Sequence, residues 1–285
     1  MSYMDESSII ELEEQAEEEA EKLRAIHKLG IRGIKDPFQF VEQSLGYLLI
    51  RYPLGEDSIQ GFATIHTGEE LIVTNSSERL SREIFTLAHE IGHIIFDFKD
   101  RKPKIIRDVK IGDFEKENYI EYRADCFAAN FLMPKEGIVK KLKEMKIRNQ
   151  RIDYFDVIQL QIEFSVSYRS MVRRLHSLNF IDYSRATELY NYYEELGLSL
   201  SKLFKRINAD TRLLDRTYEI HVPLKYFKYL QSNYENGYIS YDVLTKVLES
   251  INETPERLGF NKISHIQSQE DDDIDIDSLI KEFDN

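Results

Sequence analysis

The most constraining feature of this sequence is an apolar stretch of helical period that encloses two histidines and a glutamate. The stretch runs roughly over Glu78–Phe96, and apolar residues lie on both sides of the three polar ones. A helix with so little polar surface is expected to be buried. Burying two imidazoles and a carboxylate together costs free energy unless another group pairs with them. The sequence therefore predicts a buried helix that carries a cluster of polar side chains with a common partner.

The three polar residues are His89, Glu90 and His93, in the spacing H-E-x-x-H. Because the histidines are four residues apart, both imidazoles leave the same helix face, which suits two nitrogen ligands about 2 Å from one zinc ion. Glu90 lies about 100° around the helix from His89, in the general-base position of this pattern. Gly92 weakens a helix by about 1 kcal/mol relative to Ala, so we expect a close contact there, with a strand or a substrate backbone against the helix.

A catalytic zinc site also needs a third protein ligand and an open fourth position. We expect Glu121 to be that ligand, on a helix predicted over about Glu117–Met133. Asp125 lies one turn further on the same face and is expected to accept a hydrogen bond from the second ring nitrogen of a ligand histidine. The residues alone also allow solvent-facing roles for both carboxylates and leave other candidate ligands, namely His66, His176 and His221.

Two blocks of this sequence together resemble the ImmA/IrrE metallopeptidases. The first block is Arg82–His93, the second is Glu121–Pro134, and the strand-like run Leu71–Asn75 before them is also similar. The resemblance covers about residues 60–135. The resemblance implies a zincin-like domain of the gluzincin type. It also implies which four residues are the zinc ligands and the catalytic base. These are His89, His93 and Glu121 as zinc ligands and Glu90 as the catalytic base.

The resemblance also implies a function, because known members of that family cut a helix-turn-helix repressor of a mobile element or a stress response. The implied protein is a zinc-dependent, site-specific endopeptidase whose partner is such a repressor. The alternative is a non-catalytic regulatory module that binds a repressor or DNA, with a structural or vestigial metal site. Hydrolysis of a small amide is a third and less favoured interpretation.

The pattern along the chain predicts an α+β protein with a small sheet beside the histidine helix and a mainly helical C-terminal half. The β-rich runs are Gly46–Tyr52, Gly61–His66 and Leu71–Thr74, and the charged segment Asp97–Lys116 is expected to be a loop. We divide the chain into an acidic N-terminal helix (1–28), a zincin-like metallopeptidase domain (29–150), a helical domain (151–262) and an acidic disordered tail (263–285).

Residues 154–181 have the pattern helix, turn, helix, and the second helix contains Arg169, Arg173 and Arg174. Such a unit can enter a major groove or hold phosphates without sequence choice. The favoured interpretation is a helix pair that packs on the peptidase domain and helps recognise the protein substrate. Nucleic acid is therefore a possible but unfavoured partner.

The net charge of -13 is confined to the two ends of the chain. Residues 1–28 hold nine acidic and three basic residues, and residues 269–285 hold eight acidic and one basic, so the body is neutral. This excludes a uniformly acidic surface that repels nucleic acid. The ends are expected to aid solubility, with shielding of the active-site cleft by the first helix as the alternative.

Three further observations bear on location. No apolar run reaches the roughly 18 residues that a membrane span needs. The first thirty residues lack the apolar core of a secretory signal. The single cysteine, Cys126, excludes an internal disulfide and is expected to be a buried thiol. The sequence therefore predicts a cytoplasmic protein with no membrane partner.

Overall fold

A computed structural model describes residues 6–66, 68–98, 105–108, 111–112, 114, 118–147, 152–195, 197 and 199–262. These residues form two compact units, unit 1 within residues 1–222 and unit 2 within residues 223–285. The architecture is α+β, as the sequence predicted. The division of the chain at residues 28, 150 and 262 stays a prediction, and the acidic tail lies outside the described residues.

Unit 1 contains a mixed four-stranded sheet in the order β1-β3-β2-β4. The strands are β1 (Leu48–Tyr52), β2 (Gly61–His66), β3 (Glu69–Asn75) and β4 (Ile105–Asp108). Strand β3 pairs with β1 in parallel and with β2 antiparallel, and β2 also pairs antiparallel with β4. The first three strands confirm the predicted runs to within two residues.

Strand β4 contradicts the prediction of a loop over Asp97–Lys116. Its four residues pair with the first four of the six residues of β2, with Asp108 opposite Gly61. The segment is short and charged, so the apolar alternation that identifies a strand is weak there. Its pairing depends on a partner more than forty residues away, which the local pattern does not show.

The helices predicted over Glu78–Phe96 and Glu117–Met133 begin and end within two residues of those limits. The structure also contains several helices that the sequence did not predict. In unit 1 the helices are α1 (Glu6–Ile26), α2 (Pro37–Phe40), α3 (Leu80–Asp97), α4 (Tyr119–Leu132), α5 (Lys135–Glu144), α6 (Tyr154–Phe164), α7 (Tyr168–Ser177), α8 (Tyr183–Glu195) and α9 (Leu200–Arg206). A π-helical turn at Val41–Leu45 and a 3-10 turn at Arg212–Leu214 complete this set. Unit 2 contains α10 (Leu224–Glu235) and α11 (Tyr241–Ser250).

Helix α3 lies between the sheet and α4, which in turn packs against α1. Its apolar residues Leu87 and Ile91 are 1 % exposed. The rings of Phe127 and Phe131 on α4 stack with centroids 5.6 Å apart, which adds an aromatic layer to the core. Because α3 is covered on both sides, its polar side chains are buried as well.

Helices α6 and α7 confirm the helix-turn-helix pattern. Asp153 caps α6 in a capping box with Asp156, and Ser167 caps α7. Arg174 is buried and donates to the carbonyl of Met133, at the end of α4. This contact fits the interpretation of a helix pair that packs on the peptidase domain, while nucleic-acid binding stays an unfavoured prediction.

None of the helices within the described ranges combines the length and the apolar character that crossing a bilayer requires. The cytoplasmic location stays a prediction.

Candidate metal centre

The turn between β3 and α3 places α3, the helix that carries His89 and His93, against the sheet. Asn75, the last residue of β3, accepts hydrogen bonds through Oδ1 from the backbone N–H groups of Leu54 and Ser77. Its Nδ2 donates to the carbonyls of Gly55 and Ile59. The buried side chain of Asn75 thus holds the β1–β2 connection against the turn that leads into α3. This fixes where the helix begins relative to the strands.

Three potential ligand atoms converge between α3 and α4. His89 Nε2 lies 3.0 Å from His93 Nε2 and 3.1 Å from Glu121 Oε2. His93 Nε2 lies 3.6 Å from the same carboxylate oxygen. Both histidines are fully buried, whereas the side chain of Glu121 is 20 % exposed. The structure therefore brings together the three residues expected to bind a metal, with the carboxylate nearest to solvent.

A carboxylate faces the second ring nitrogen of each histidine. His89 Nδ1 lies 2.8 Å from Asp125 Oδ1, and His93 Nδ1 lies 2.9 Å from Asp97 Oδ2. Each of these carboxylates can accept a hydrogen bond from the Nδ1–H group that faces it. With the proton on Nδ1, both Nε2 lone pairs point into the space beside Glu121, in the tautomer that binds a metal.

Asp97 was missed by the sequence interpretation, which considered only Asp125 for this kind of support. Its position was available from spacing, because Asp97 follows His93 by four residues and so lies on the same face of α3. Its other oxygen accepts a hydrogen bond from Arg123 Nη2 at 2.6 Å. Arg123 therefore anchors Asp97 and, through it, the ring of His93.

The spacing of the three ligand atoms fits a zinc ion. Ligands about 2.0–2.1 Å from a tetrahedral zinc lie roughly 3.3 Å from one another, and the three observed separations are 3.0, 3.1 and 3.6 Å. Without a cation, two lone pairs and a carboxylate oxygen repel one another at these distances. His89, His93 and Glu121 thus have both the chemistry and the spacing of a metal site.

Glu90 is fully buried on α3, next to the first strand residue of β2. A Cβ on Gly61 would lie 3.4 Å from Glu90 Oε1 and only 2.6 Å from Thr86 Cγ2. The absence of a side chain at Gly61 therefore lets β2 approach the helix turn that carries Glu90. The strand backbone forms one wall of the space around this carboxylate.

Gly92 has a close neighbour, as the sequence predicted, but the neighbour is helix α4 and not a strand or a substrate backbone. A Cβ at this position would lie 3.3 Å from Ala124 Cα and 3.2 Å from the ring of Phe127. Ala124 stands between Glu121 and Asp125 in the sequence. The missing side chain of Gly92 therefore sets how closely α4 brings these two carboxylates to the histidines.

Several other histidine, tyrosine and cysteine side chains among the described residues are not part of the group of candidate metal ligands. The hydroxyl of Tyr122 donates a hydrogen bond to Glu13. The pKa of Tyr122 is raised, mainly by burial and to a lesser extent by this hydrogen bond. His221 Nε2 lies 2.9 Å from Glu42 Oε1, His176 is exposed, and the side chain of His66 lies outside the described residues. Cys126 is 7 % exposed, which confirms the buried thiol.

Comparison with known proteins agrees with this geometry. The family model Peptidase_M78, described as an IrrE N-terminal-like domain, matches residues 42–176. The matched range contains the sheet, both helices of the metal centre and the helix pair α6–α7. No curated protein matches the chain. The family is one of metal-dependent peptidases, in agreement with the candidate metal centre, and residues 42–176 of this chain are therefore similar to an IrrE N-terminal-like domain.

Proposed function

We propose that this protein is a zinc-dependent endopeptidase of the H-E-x-x-H type that cleaves a regulatory protein. The observation that carries the proposal is the convergence of His89 Nε2, His93 Nε2 and Glu121 Oε2 within 3.0–3.6 Å of one another. The peptidase family of the domain gives independent support.

In this proposal His89, His93 and Glu121 hold the zinc ion, while Asp125 and Asp97 fix the two imidazoles. A zinc ion bound there supplies a Lewis acid that polarises a carbonyl and lowers the pKa of a water molecule. Two of the three ligands come from one helix and the third from its neighbour. The site is therefore rigid as long as α3 and α4 stay packed.

Glu90 is the proposed general base. It accepts a proton from the attacking water and later donates it to the leaving amine. The β2 backbone at Gly61 packs against the helix turn that carries Glu90, so the side chain has little room to leave its position. A buried carboxylate in a fixed orientation is suited to carrying a proton from the attacking water to the leaving amine.

An extended substrate would pair with the edge strand β4. Strand β3, which leads into α3, cannot take this role because it is paired on both sides by β1 and β2. Among the described strands β4 pairs only with β2, and the proposal places the substrate on the opposite edge of β4 by strand addition. Gly112, four residues after the end of β4 in the sequence, donates through its N–H to Asp125. A substrate on this edge therefore lies beside the metal centre.

The proposed substrate is a helix-turn-helix repressor of a mobile element or a stress response. The resemblance to the ImmA/IrrE metallopeptidases supports this part. A further consideration is that both histidines are fully buried and the side chain of Glu121 is 20 % exposed, which disfavours indiscriminate cleavage of folded proteins. The helix pair α6–α7 is a candidate surface for recognising the repressor.

The test uses purified full-length protein, His89→Ala, Glu90→Gln and, as a control, Glu136→Gln on the exposed face of α5. Metal analysis should find about one zinc per chain in the unmutated protein and in both glutamate variants, and little in His89→Ala. Incubation with the repressor encoded beside the gene should give cleavage by the unmutated protein and Glu136→Gln only.

Two outcomes would contradict the proposal. Absence of zinc from the unmutated protein would rule out the enzyme. A repressor that is bound but left intact, with Glu90→Gln behaving like the unmutated protein, would favour the non-catalytic regulatory module.

A further inference from the structure

A concave site in unit 1 is lined by neither the three candidate metal ligands nor Glu90. Gly112, whose N–H donates to Asp125, is part of its lining. We call this site the arginine cleft. It has a volume of about 780 Å³, and its walls come from the starts of α3, α7 and α9, from Ile111–Gly112 and from Leu214–Arg216. This volume is typical of pockets that hold small molecules.

Positive charge dominates the lining of the cleft. Five arginines face two carboxylates, and the seven residues are Arg79, Arg82, Arg169, Arg173, Arg216, Glu78 and Asp215. Arg216 also pairs with Glu56 at 2.7 Å. A concave surface of one sign concentrates ions of the opposite sign, and guanidinium groups match phosphate oxygens in bidentate geometry. The charge therefore points to an anionic ligand.

Gln161 gives an independent indication of a ligand. Its side chain lines the cleft and is fully buried. Among the described residues, neither Oε1 nor Nε2 of Gln161 has a hydrogen-bond partner. A buried amide that lacks both bonds is destabilising, so its presence needs an explanation. A ligand that offers a donor beside an acceptor would satisfy both atoms at once.

The walls of the cleft suit a planar ring. Phe85 and Tyr190 both line the cleft, and the guanidinium of Arg169 lies 4.7 Å from the ring centroid of Tyr190. Aromatic rings and arginine planes stack on flat ligands. Nucleobase edges carry the adjacent donor and acceptor that complement an amide.

We propose that the arginine cleft binds a phosphorylated ligand with a planar hydrogen-bonding ring, the chemistry of a nucleotide. The phosphates contact the arginines at the mouth, among them Arg79 and Arg82, and the ring reaches Gln161. The lining contains none of the proposed zinc ligands and not Glu90, so this proposal does not depend on the peptidase activity.

Calorimetric titration of the full-length protein tests the proposal with four probes, which are adenosine diphosphate, guanosine diphosphate, adenosine and pyrophosphate. At least one nucleoside diphosphate should bind about tenfold or more tightly than adenosine or pyrophosphate. The double variant Arg79→Gln/Arg82→Gln should weaken nucleotide and pyrophosphate binding by about tenfold. Arg212→Gln, an exposed arginine outside the lining, should bind like the unmutated protein.

Gln161→Leu separates the ring contact from the phosphate contact. It should weaken nucleotide binding by about tenfold while pyrophosphate affinity stays unchanged and the melting temperature does not fall, because leucine removes two unpaired polar atoms. Failure of both diphosphates to bind the unmutated protein at millimolar concentration would overturn the proposal. Unaltered nucleotide affinity in both Gln161→Leu and the arginine double variant would overturn it as well.

Discussion

His89 Nδ1 lies 2.8 Å from Asp125 Oδ1, and the carboxylate of Asp125 also accepts hydrogen bonds from two backbone N–H groups. The donors are Gly112 and Phe114, each at 2.9 Å. One side chain of α4, 2 % exposed, thus joins the ring of His89 on α3 to the chain that follows β4. Asp125 therefore orients the candidate metal ligand His89, and it also holds the segment after β4, the proposed substrate-binding strand, next to that ligand.

Asp125→Asn is predicted to weaken zinc binding by about 10- to 100-fold, the range found for residues that support metal ligands. The amide keeps an oxygen for His89, but its NH₂ group faces a backbone N–H and carries no negative charge. Zinc affinity is measured by competition with a chelator. Asp57→Asn, in an exposed turn, is the matched control, and equal affinity in the two variants would contradict the role of Asp125.

Gly61→Ala is predicted to destabilise unit 1 by about 1–3 kcal/mol, the usual cost of overpacking. The new Cβ would lie 2.6 Å from Thr86 Cγ2 and 2.8 Å from the Val73 carbonyl. Both separations are shorter than van der Waals contact, so β2 and α3 must move apart. Urea denaturation gives the change in the free energy of unfolding.

Thr86→Ser provides the internal control for Gly61→Ala, because it removes the methyl group that the new Cβ would meet. The double variant should lose less stability than the two single variants added together. Rescue should be partial, since the contact with Val73 stays. Strict additivity would show that Thr86 and Gly61 do not compete for the same space.

The helices of the metal centre were predictable from the sequence because their signals are local. A four-residue spacing places His89 beside His93 and Glu121 beside Asp125 wherever the helices lie. An unusually apolar sequence indicated burial of α3. What brings the two pairs together is the close approach at Gly92, which the sequence signalled without identifying α4 as the neighbour.

The unpredicted features depend on contacts between distant segments. Strand β4 is a strand because β2 lies beside it, and β3 is central because β1 pairs with it in parallel. Gln161 looked like an ordinary polar position of α6, and only the folded chain places it in the arginine cleft. Sequence periodicity reports which face of an element is buried, but not which segment covers it.

Arg24→Lys is predicted to destabilise unit 1 by about 2 kcal/mol. Arg24 on α1 is buried and donates to the carbonyls of Phe131, Gly30 and Arg32. One ammonium group cannot reach all three in the fork geometry of a guanidinium, and buried carbonyls left unpaired cost free energy. Chemical denaturation measures the loss, with Lys22→Ala on the exposed face of α1 as the control.

The same contacts bear on the acidic first helix. Ala16 and Ala20 are at most 1 % exposed, and α1 packs along α4. The structure thus gives α1 a place in the core, in addition to any effect of its charge. Removal of residues 1–28 should lower stability; a truncated protein with unchanged stability and higher cleavage would instead support the shielding role.

Cys126 is predicted to make the protein less stable as the pH rises above about 9. Burial raises the pKa of this thiol from 9.0 to about 12, with partial opposition from the hydrogen bond of Tyr122. Between these values the unfolded chain loses the proton and the folded chain keeps it, so the free energy of unfolding falls with pH. From about pH 8 to about pH 9.8 the loss of unfolding free energy attributable to Cys126 is roughly 1 kcal/mol.

Urea denaturation at these two pH values, about 8 and about 9.8, should show this loss in the unmutated protein and not in Cys126→Ala. The native thiol should also resist a thiol reagent at about pH 8, because the thiolate is the reactive form. Equal pH dependence in the two proteins, or rapid labelling of the native one, would contradict a buried and protonated Cys126.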